Sequence, residues 1–421
     1  MNLNLLNVVS YEVIYALLLI FGFVTWLNGS LIPFLKIICD LNEFEALFVT
    51  FAFYIAYTVM ALPMAYVLEK TGYKKGMALG LAVMAVGSLL FIPAAQSAEF
   101  SIFLLALFML GTGLTILQTA SNPYIVLVGP IKSAATRISI MGLINKSAGV
   151  LAPIVFTTLI LSDIHIGSDL SLLDTASLAQ KLVKPYVIMG TVLSVLALFV
   201  WFSALPEIEF ADDPYDDANI FGFPRVVLGA IALFFYVGIE VIAGDTIGLY
   251  AQNIGMANAT ALTSYTMFFM VLGYLIGILF IPKYLTQEKA LVYSALTGIV
   301  LLLGVAFSST TDTSISAFLW GWSGVMLLPN SVAFVALLGL ANALVWPTIW
   351  PLVLEDLGKH TAKGSALLIM AIAGGAVLPL VFGKIAQVTG NMQEAYIFGI
   401  LSYVIILMYA LKWHKMKGWR G

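Results

Sequence analysis

The sequence predicts an all-α membrane protein of twelve transmembrane helices in two pseudo-symmetric six-helix halves, on three observations. Of 421 residues, 61% are hydrophobic and only 10% charged, with a mean hydropathy of +1.03. A soluble domain carries roughly 25% charged residues, so the solvent of this chain is mostly lipid. At ~20 residues per crossing, twelve apolar stretches are long enough to span a bilayer. They run 11–35, 46–68, 76–96, 101–128, 138–161, 184–204, 224–251, 260–282, 289–308, 330–354, 363–387 and 392–413. Finally, the connection 205–223 holds Glu207, Glu209, Asp212, Asp213, Asp216 and Asp217. It is too acidic to insert and charged enough to stay solvated, and it separates an N-terminal half, 1–204, from a C-terminal half, 224–421.

The first stretch begins near Tyr11 with no basic start and no small-residue cleavage site after it, so it is expected to be a retained span and not a signal peptide. Several stretches exceed what a bilayer needs, which implies tilt or bending. Segment 309–328 is ambiguous, and its Trp320 and Trp322 suit an interfacial helix ahead of span ten. Spans five and eleven repeat one pattern: Ala148-Gly-Val-Leu-Ala-Pro153 resembles Gly374-Gly-Ala-Val-Leu-Pro379. The prolines lie about half a chain apart, as an internal duplication requires. With both termini cytoplasmic, fourteen of the 19 basic residues face the cytoplasm. Only Lys36, Lys181, Lys184 and Lys384 face outward, and Lys146 is left inside the membrane. That bias fixes orientation by the positive-inside rule.

Lys146 is the most informative single residue. A charge at membrane depth costs at least ~3 kcal/mol on insertion scales and persists only beside a partner or a wet cavity. The carboxylates at comparable depth, Glu240 and Asp245, both belong to span seven, in the other half. Two halves enclosing a polar path is the layout of a transporter. Five residues separate the two acids, about 140° around an ideal helix, so they do not share a face. Glycines 238, 244 and 248 suggest that span seven unwinds, freeing carbonyls of the kind that bind coupling cations. Whether an acid neutralises Lys146 structurally or acts in coupling stays open at this point.

Other polar residues stand where lipid would forbid them. Span one carries Asn28, and span four carries Gln118 and Asn122 on one face, four apart, ahead of Pro123. Span five carries Asn145 beside Lys146. Span ten places Asn342, Trp346 and Trp350 at a spacing of four, with Pro347 and Pro351 interleaved. Amides offer both donors and acceptors, and an indole offers an aromatic face with one N–H. Either set suits a polyol, and either also serves as helix–helix glue or an interfacial belt.

The stretches Leu27-Asn28-Gly29-Ser30-Leu31-Ile32-Pro33, Gln118-Thr-Ala-Ser-Asn122-Pro123 with Gly129-Pro130, Tyr236-Val-Gly238, Trp346-Pro347-Thr348-Ile349 and Gly364-Ser365 resemble the fucose–galactose–glucose–proton symporter group of the major facilitator superfamily. Glu69-Lys70-Thr71-Gly72-Tyr73-Lys74-Lys75 resembles a degraded cytoplasmic loop motif of that superfamily. The resemblance implies the superfamily fold, with spans one, four, seven and ten lining the cavity of a rocker-switch sugar importer. The fucose permease has an Asp where this chain has Gly29 and a Glu where it has Gln118, so its proton-handling acids are missing here. Lys146 and Glu240 stand where that relative looks uncharged. The glucose/galactose branch, part of which is sodium-dependent, looks closer.

The expectation is therefore a cation-coupled importer of a neutral hexose, glucose or galactose first. Asn28, Gln118, Asn122, Asn145, Glu240, Asn342, Trp346 and Trp350 are expected to bind the sugar, and Lys146, Glu240 and Asp245 to carry coupling. The cation is Na⁺ or H⁺, with Na⁺ slightly favoured, Glu240 and Asp245 being its metal ligands; no cofactor is expected. Permeases for N-acetylglucosamine or fucose, and a drug exporter of the same superfamily, are the alternatives. An enzyme is not expected: there is no His-Glu-x-x-His, and His165, His360 and His414 fall in loops or at an end. The single cysteine, Cys39, excludes an internal disulfide. The chain is expected to work as a monomer in the inner membrane of a bacterium, its partners being lipid and a small sugar, not nucleic acid.

Overall fold

The computed structural model describes residues 19–127, 134–161, 175–203, 220–256, 259–281, 283–355, 357, 361–416 and 418–419. The expected start of span one and nearly all of the acidic connection lie outside the described residues. Among the described residues, twelve helices are long and apolar enough to cross a membrane. They are Leu19–Ile38, Glu43–Ala61, Lys70–Ser97, Phe100–Ser121, Ile140–Leu159, Thr175–Phe202, Pro224–Asp245, Ala259–Phe280, Gln287–Phe307, Asn330–Leu354, Leu367–Thr389 and Met392–Lys415, numbered here as spans one to twelve.

Local chemistry sets where these helices start and stop. Asn42 and Glu45 form a capping box at the start of span two, each side chain accepting the other's backbone N–H, which satisfies two orphan donors at once. At the starts of spans nine and twelve the side chains of Thr286 and Asn391 accept first-turn backbone N–H groups, and Pro224 opens span seven at a position where its missing N–H costs nothing. Spans two and three are joined by helix all through Phe48–Ser97, broken only at Gly72, whose φ of 76° is glycine territory. Span ten bends at Leu344, between helices Asn330–Ala343 and Val345–Leu354. Pro347 causes this, because it has no N–H to return to the carbonyl of Ala343. The segment expected to lie at the interface folds as a short helix, Ser314–Trp320, and one 3₁₀ turn. It is tied down by the Trp320 indole donating to the Met326 carbonyl at 3.1 Å, while Trp322 is left exposed.

The outer surface is apolar. Val195, Leu198, Phe199 and Phe202 of span six are all exposed, a contiguous patch that only lipid or another protein tolerates. Inside each half, helices approach closely where glycines remove side chains. Spans three and four meet at Gly80 and Gly113, where a Cβ on Gly80 would stand 2.8 Å from the Gly113 carbonyl oxygen.

The two halves are joined by hydrogen bonds at the end of the bundle away from residues 220–223 and 413–419. There span one runs past span seven and the start of span eight. Ser30 Oγ donates to the Thr260 carbonyl at 2.5 Å, and Thr157 Oγ1 to Thr260 Oγ1 at 3.1 Å. Gly29 leaves no room for a Cβ beside the Thr263 hydroxyl, and Gly248 lies against the carbonyls of Ala259 and Gly29. Farther out, Lys36 pairs with Glu43 at 2.7 Å, and the Asn253 amide donates to the same carboxylate oxygen at 3.4 Å.

If the Gly80–Gly113 approach holds spans three and four together, Gly80→Leu should destabilise the N-terminal half by about 1–3 kcal/mol, the usual cost of overpacking. The thermal midpoint in detergent micelles should fall accordingly. Gly222→Ala, with open space around it, should leave that midpoint unchanged.

Candidate functional site

Lys146, on span five, points at span seven. Its ammonium lies 2.6 Å from Glu240 Oε1, with side-chain exposures of only 10% and 8%. The same oxygen accepts the hydroxyl of Tyr236 at 2.8 Å, which one helical turn of spacing permits. Behind the ammonium is the indole of Trp26, its ring centroid 4.3 Å from Nζ. That indole donates its N–H to Asn145 Oδ1 at 3.2 Å. One polar chain thus runs Tyr236, Glu240, Lys146, Trp26, Asn145, and it crosses from one half to the other at the ion pair.

Two glycines make room for Trp26. A Cβ on Gly149 would stand 2.7 Å from Trp26 Cδ1, and one on Gly244 would stand 2.8 Å from Trp26 Cζ3. This corrects the expected reason for the span-seven glycines. The helix is not unwound: it runs to Asp245 and resumes at Ile247, interrupted only at Thr246. Gly238 instead packs under Leu378, Gly244 under Trp26, and Gly248 under the Ala259 carbonyl. The carbonyls of Ala243 and Gly244 are occupied, accepting the hydroxyls of Thr266 at 3.1 Å and Thr263 at 2.8 Å.

Lys146 and Glu240 form part of the wall of a cavity of about 110 Å³. Amides come from Gln118 and Asn145, hydroxyls from Thr25, Tyr54, Tyr57, Tyr236 and Tyr274, and apolar surface from Phe21, Trp26, Met141, Trp346 and Ile372 among others. In every one of these spans the lining residues lie on the side of the halves' contact nearer residues 220–223. The cavity is therefore sealed at one end by the packing at Gly29, Ser30, Gly248 and Thr260.

Of the residues singled out by sequence, Gln118, Asn145, Lys146, Glu240 and Trp346 come together around this cavity. Gln118 donates to the Tyr57 hydroxyl at 3.2 Å. The Asn145 amide nitrogen has no partner. Asn122 continues the span-four helix, but its side chain lies outside the described residues. Trp350 does not line the cavity; it packs against Trp346 with ring centroids 5.5 Å apart. Asn342 corrects its expectation: it is fully buried inside the C-terminal half, accepting the Tyr403 hydroxyl at 2.8 Å. Asn28 is likewise off the cavity wall, buried beside the halves' contact with its amide nitrogen unpartnered. Asp245 is fully buried there too, and neither of its carboxylate oxygens has a hydrogen-bond partner. Sequence reasoning gave no role to Trp26, Tyr54, Tyr57 or Tyr274. For Trp26 the one signal was its place on span one, two residues before Asn28; the three tyrosines, on spans two and eight, carried none.

Residues 14–378 match the Major Facilitator Superfamily. The chain belongs to that superfamily. It is 32% identical over 406 residues to a glucose/galactose transporter of Brucella abortus, covering 94% of this chain and 92% of that one. It is 27% identical over 428 residues to the L-fucose-proton symporter of Escherichia coli, covering 96% and 92%. Its fold resembles that of FucP, a Major Facilitator Superfamily transporter in its outward conformation. There the TM-score is 0.72 at 24% identity, over 96% of this chain and 98% of that one. As a superfamily member the chain is a multi-pass transporter and not an enzyme. The expected contrast at Gly29 also has a physical reason, since an Asp at that position would collide with Thr263.

Breaking a buried ion pair from one side leaves an uncompensated charge, at a cost of about 3–5 kcal/mol. Lys146→Ala and Glu240→Gln should each lower the thermal midpoint in micelles, and the double variant should lose less than the two singles added together. Strict additivity would mean that the two side chains do not sense each other in solution.

Proposed function

We propose that this chain is a proton-coupled symporter that imports a neutral hexose, glucose or galactose, across a bacterial cytoplasmic membrane by alternating access. The observation that carries the reading is the chemistry of the cavity wall, whose ammonium and carboxylate cancel each other, so that its remaining polar groups are amides and hydroxyls. A neutral polyol matches such a wall, because every hydroxyl can both donate and accept. Gln118 and Asn145 are the proposed hydrogen-bonding residues, with Tyr57 beside them. The Trp346 ring, held by Trp350, is the proposed stacking surface for the C–H face of the sugar. The names of the Brucella and Escherichia relatives support a hexose-class substrate.

The proton is favoured over Na⁺ on geometry. A sodium site needs several hard oxygens converging on one point, and among the described residues the carbonyls near the span-seven interruption are already held by threonine hydroxyls. A proton needs one oxygen. On Glu240 it would neutralise the carboxylate and free Lys146. Asp245, buried with both oxygens unpartnered, is the proposed second acceptor. The L-fucose-proton symporter supports the same cation. The excess of basic residues on the 220–223 side supports cytoplasmic termini, which makes the sealed end extracellular.

Counterflow and uptake in proteoliposomes test the reading with labelled glucose, galactose, L-fucose and N-acetylglucosamine under imposed proton or sodium gradients. Glucose and galactose should accumulate under an inward proton gradient. Accumulation driven by sodium alone would overturn the choice of cation, and transport confined to another substrate would overturn the choice of sugar.

Two substitutions bear on the roles. Trp346→Ala should weaken hexose binding several-fold, since an aromatic contact contributes on the order of 1 kcal/mol beyond burial. Unchanged affinity by calorimetry would remove the stacking role. Glu240→Gln and Asp245→Asn should each abolish gradient-driven accumulation and spare exchange at equal concentrations. An accumulating Asp245→Asn variant would reduce that residue to a structural part.

A further inference from the structure

The ion pair between the halves poses a problem that the structure answers. Alternating access moves one half against the other as a nearly rigid body. A contact between halves opens in such a motion, and contacts within a half persist. The Lys146–Glu240 contact lies between halves, so its opening would strand a cation on span five and a carboxylate on span seven in a poorly solvated place, which is strongly disfavoured. Each of those groups has a second partner on its own side. Lys146 faces the ring of Trp26, and Glu240 accepts the hydroxyl of Tyr236.

We propose that Trp26 and Tyr236 are positioning residues that hold the separated charges of the Lys146–Glu240 pair while it is open, one in each half. The proposal rests on the reading that this pair opens during transport. Trp26 suits the role because its ring face attracts an ammonium, most strongly where water is excluded. Its orientation is fixed within the N-terminal half by the 3.2 Å bond to Asn145 and by the bare backbone of Gly149. Gly244 closes its other side only while the halves are packed as here. Tyr236 suits the complementary role because it is one turn from Glu240 on the same helix and donates to the very oxygen that Lys146 leaves. The titratable groups near enough to sense that carboxylate are Lys146 of span five, Tyr54 of span two, Tyr236 and Asp245 of span seven, Tyr274 of span eight and Tyr403 of span twelve. Among these, Lys146 and Tyr236 are its hydrogen-bond donors.

Trp26 also connects the charge to the cavity. By occupying Asn145 Oδ1 it leaves the unpartnered amide N–H₂ as that residue's free group, which sets the sense in which Asn145 meets a ligand. The indole N–H and the indole face therefore have separable jobs, and different substitutions remove them. Trp26→Phe keeps a face and loses the N–H. Trp26→Leu loses both.

The experiment is uptake of labelled hexose into proteoliposomes by the full chain, under an imposed proton gradient and in exchange at equal concentrations, across a range of pH. Trp26→Leu should lose on the order of tenfold in accumulation while exchange is largely spared, because a desolvated cation–π contact of this kind is strong enough to control whether the pair separates. Trp26→Phe should accumulate like the parent but with a raised KM. Tyr236→Phe should displace the pH profile of accumulation, which a purely structural hydroxyl would not do. If Trp26→Leu does not purify as a monodisperse species, Tyr236→Phe and Trp26→Phe still decide, since neither adds bulk. Parent-like accumulation by Trp26→Leu, equal behaviour of the Leu and Phe variants, or an unmoved pH profile in Tyr236→Phe would each overturn the proposal. Glu240→Gln separates the two layers. If it accumulates like the parent, the coupling reading falls and this proposal falls with it. If Glu240→Gln is uncoupled and Trp26→Leu is not, only the role of Trp26 and Tyr236 is overturned.

Discussion

An ammonium buried among hydrocarbon has to be answered by a negative charge, and the place of that charge decides how the two halves of this protein meet. Glu240 answers Lys146 across the line between the halves. Had the carboxylate been on span five or on a neighbouring N-terminal helix, the pair would have been a fixed part of one rigid body. Because it lies on span seven, any movement of the halves must act on it. Much of the neighbourhood follows from this requirement. Glycines at 149 and 244 admit an indole behind the ammonium, Tyr236 stands one turn from the carboxylate, and the cavity opens beside the pair.

The glycines deserve their own physical reading, because their meaning changes between sequence and structure. In a membrane helix a glycine can permit bending or permit approach. Here most of those near the site permit approach. Gly29, Gly149, Gly244 and Gly248 each face another chain segment at a distance that a methyl group would violate. Gly72 alone among the glycines discussed is present for its backbone angle, at the turn between spans two and three. Only the structure distinguishes these uses, since the residue type is the same in both.

The fold was legible in the sequence because lipid imposes a simple rule, and all twelve spans follow from apolar length alone. The polar wall of the cavity was half legible for the same reason. Gln118, Asn145, Lys146 and Glu240 stood out against an apolar background and do come together. Depth and direction around a helix were less accessible. Asn342 looked like a cavity residue and is bonded to Tyr403 within its own half, because a buried amide satisfies itself with whichever hydroxyl packs nearest. Glu240 and Asp245 could not be ranked as partners of Lys146 from their spacing, which only says that they point in different directions. Trp26 and Tyr57 were hidden by composition: in a chain with 13% aromatic residues, one more ring carries no signal until its neighbours are known.

The end that closes the cavity is built from different material than the ion pair. Hydroxyls of Ser30 and Thr157 reach oxygen atoms of Thr260 across the line between the halves, beside the bare backbone of Gly29 and Gly248. Such bonds exchange readily with water, so their net contribution is small, and each group that parts finds a solvent molecule in place of its former partner. A closure of that kind behaves less like a bolt than like a wettable seam. Its opening rate should follow the supply of water to the seam, while the buried charges a few residues away decide when it is worth opening.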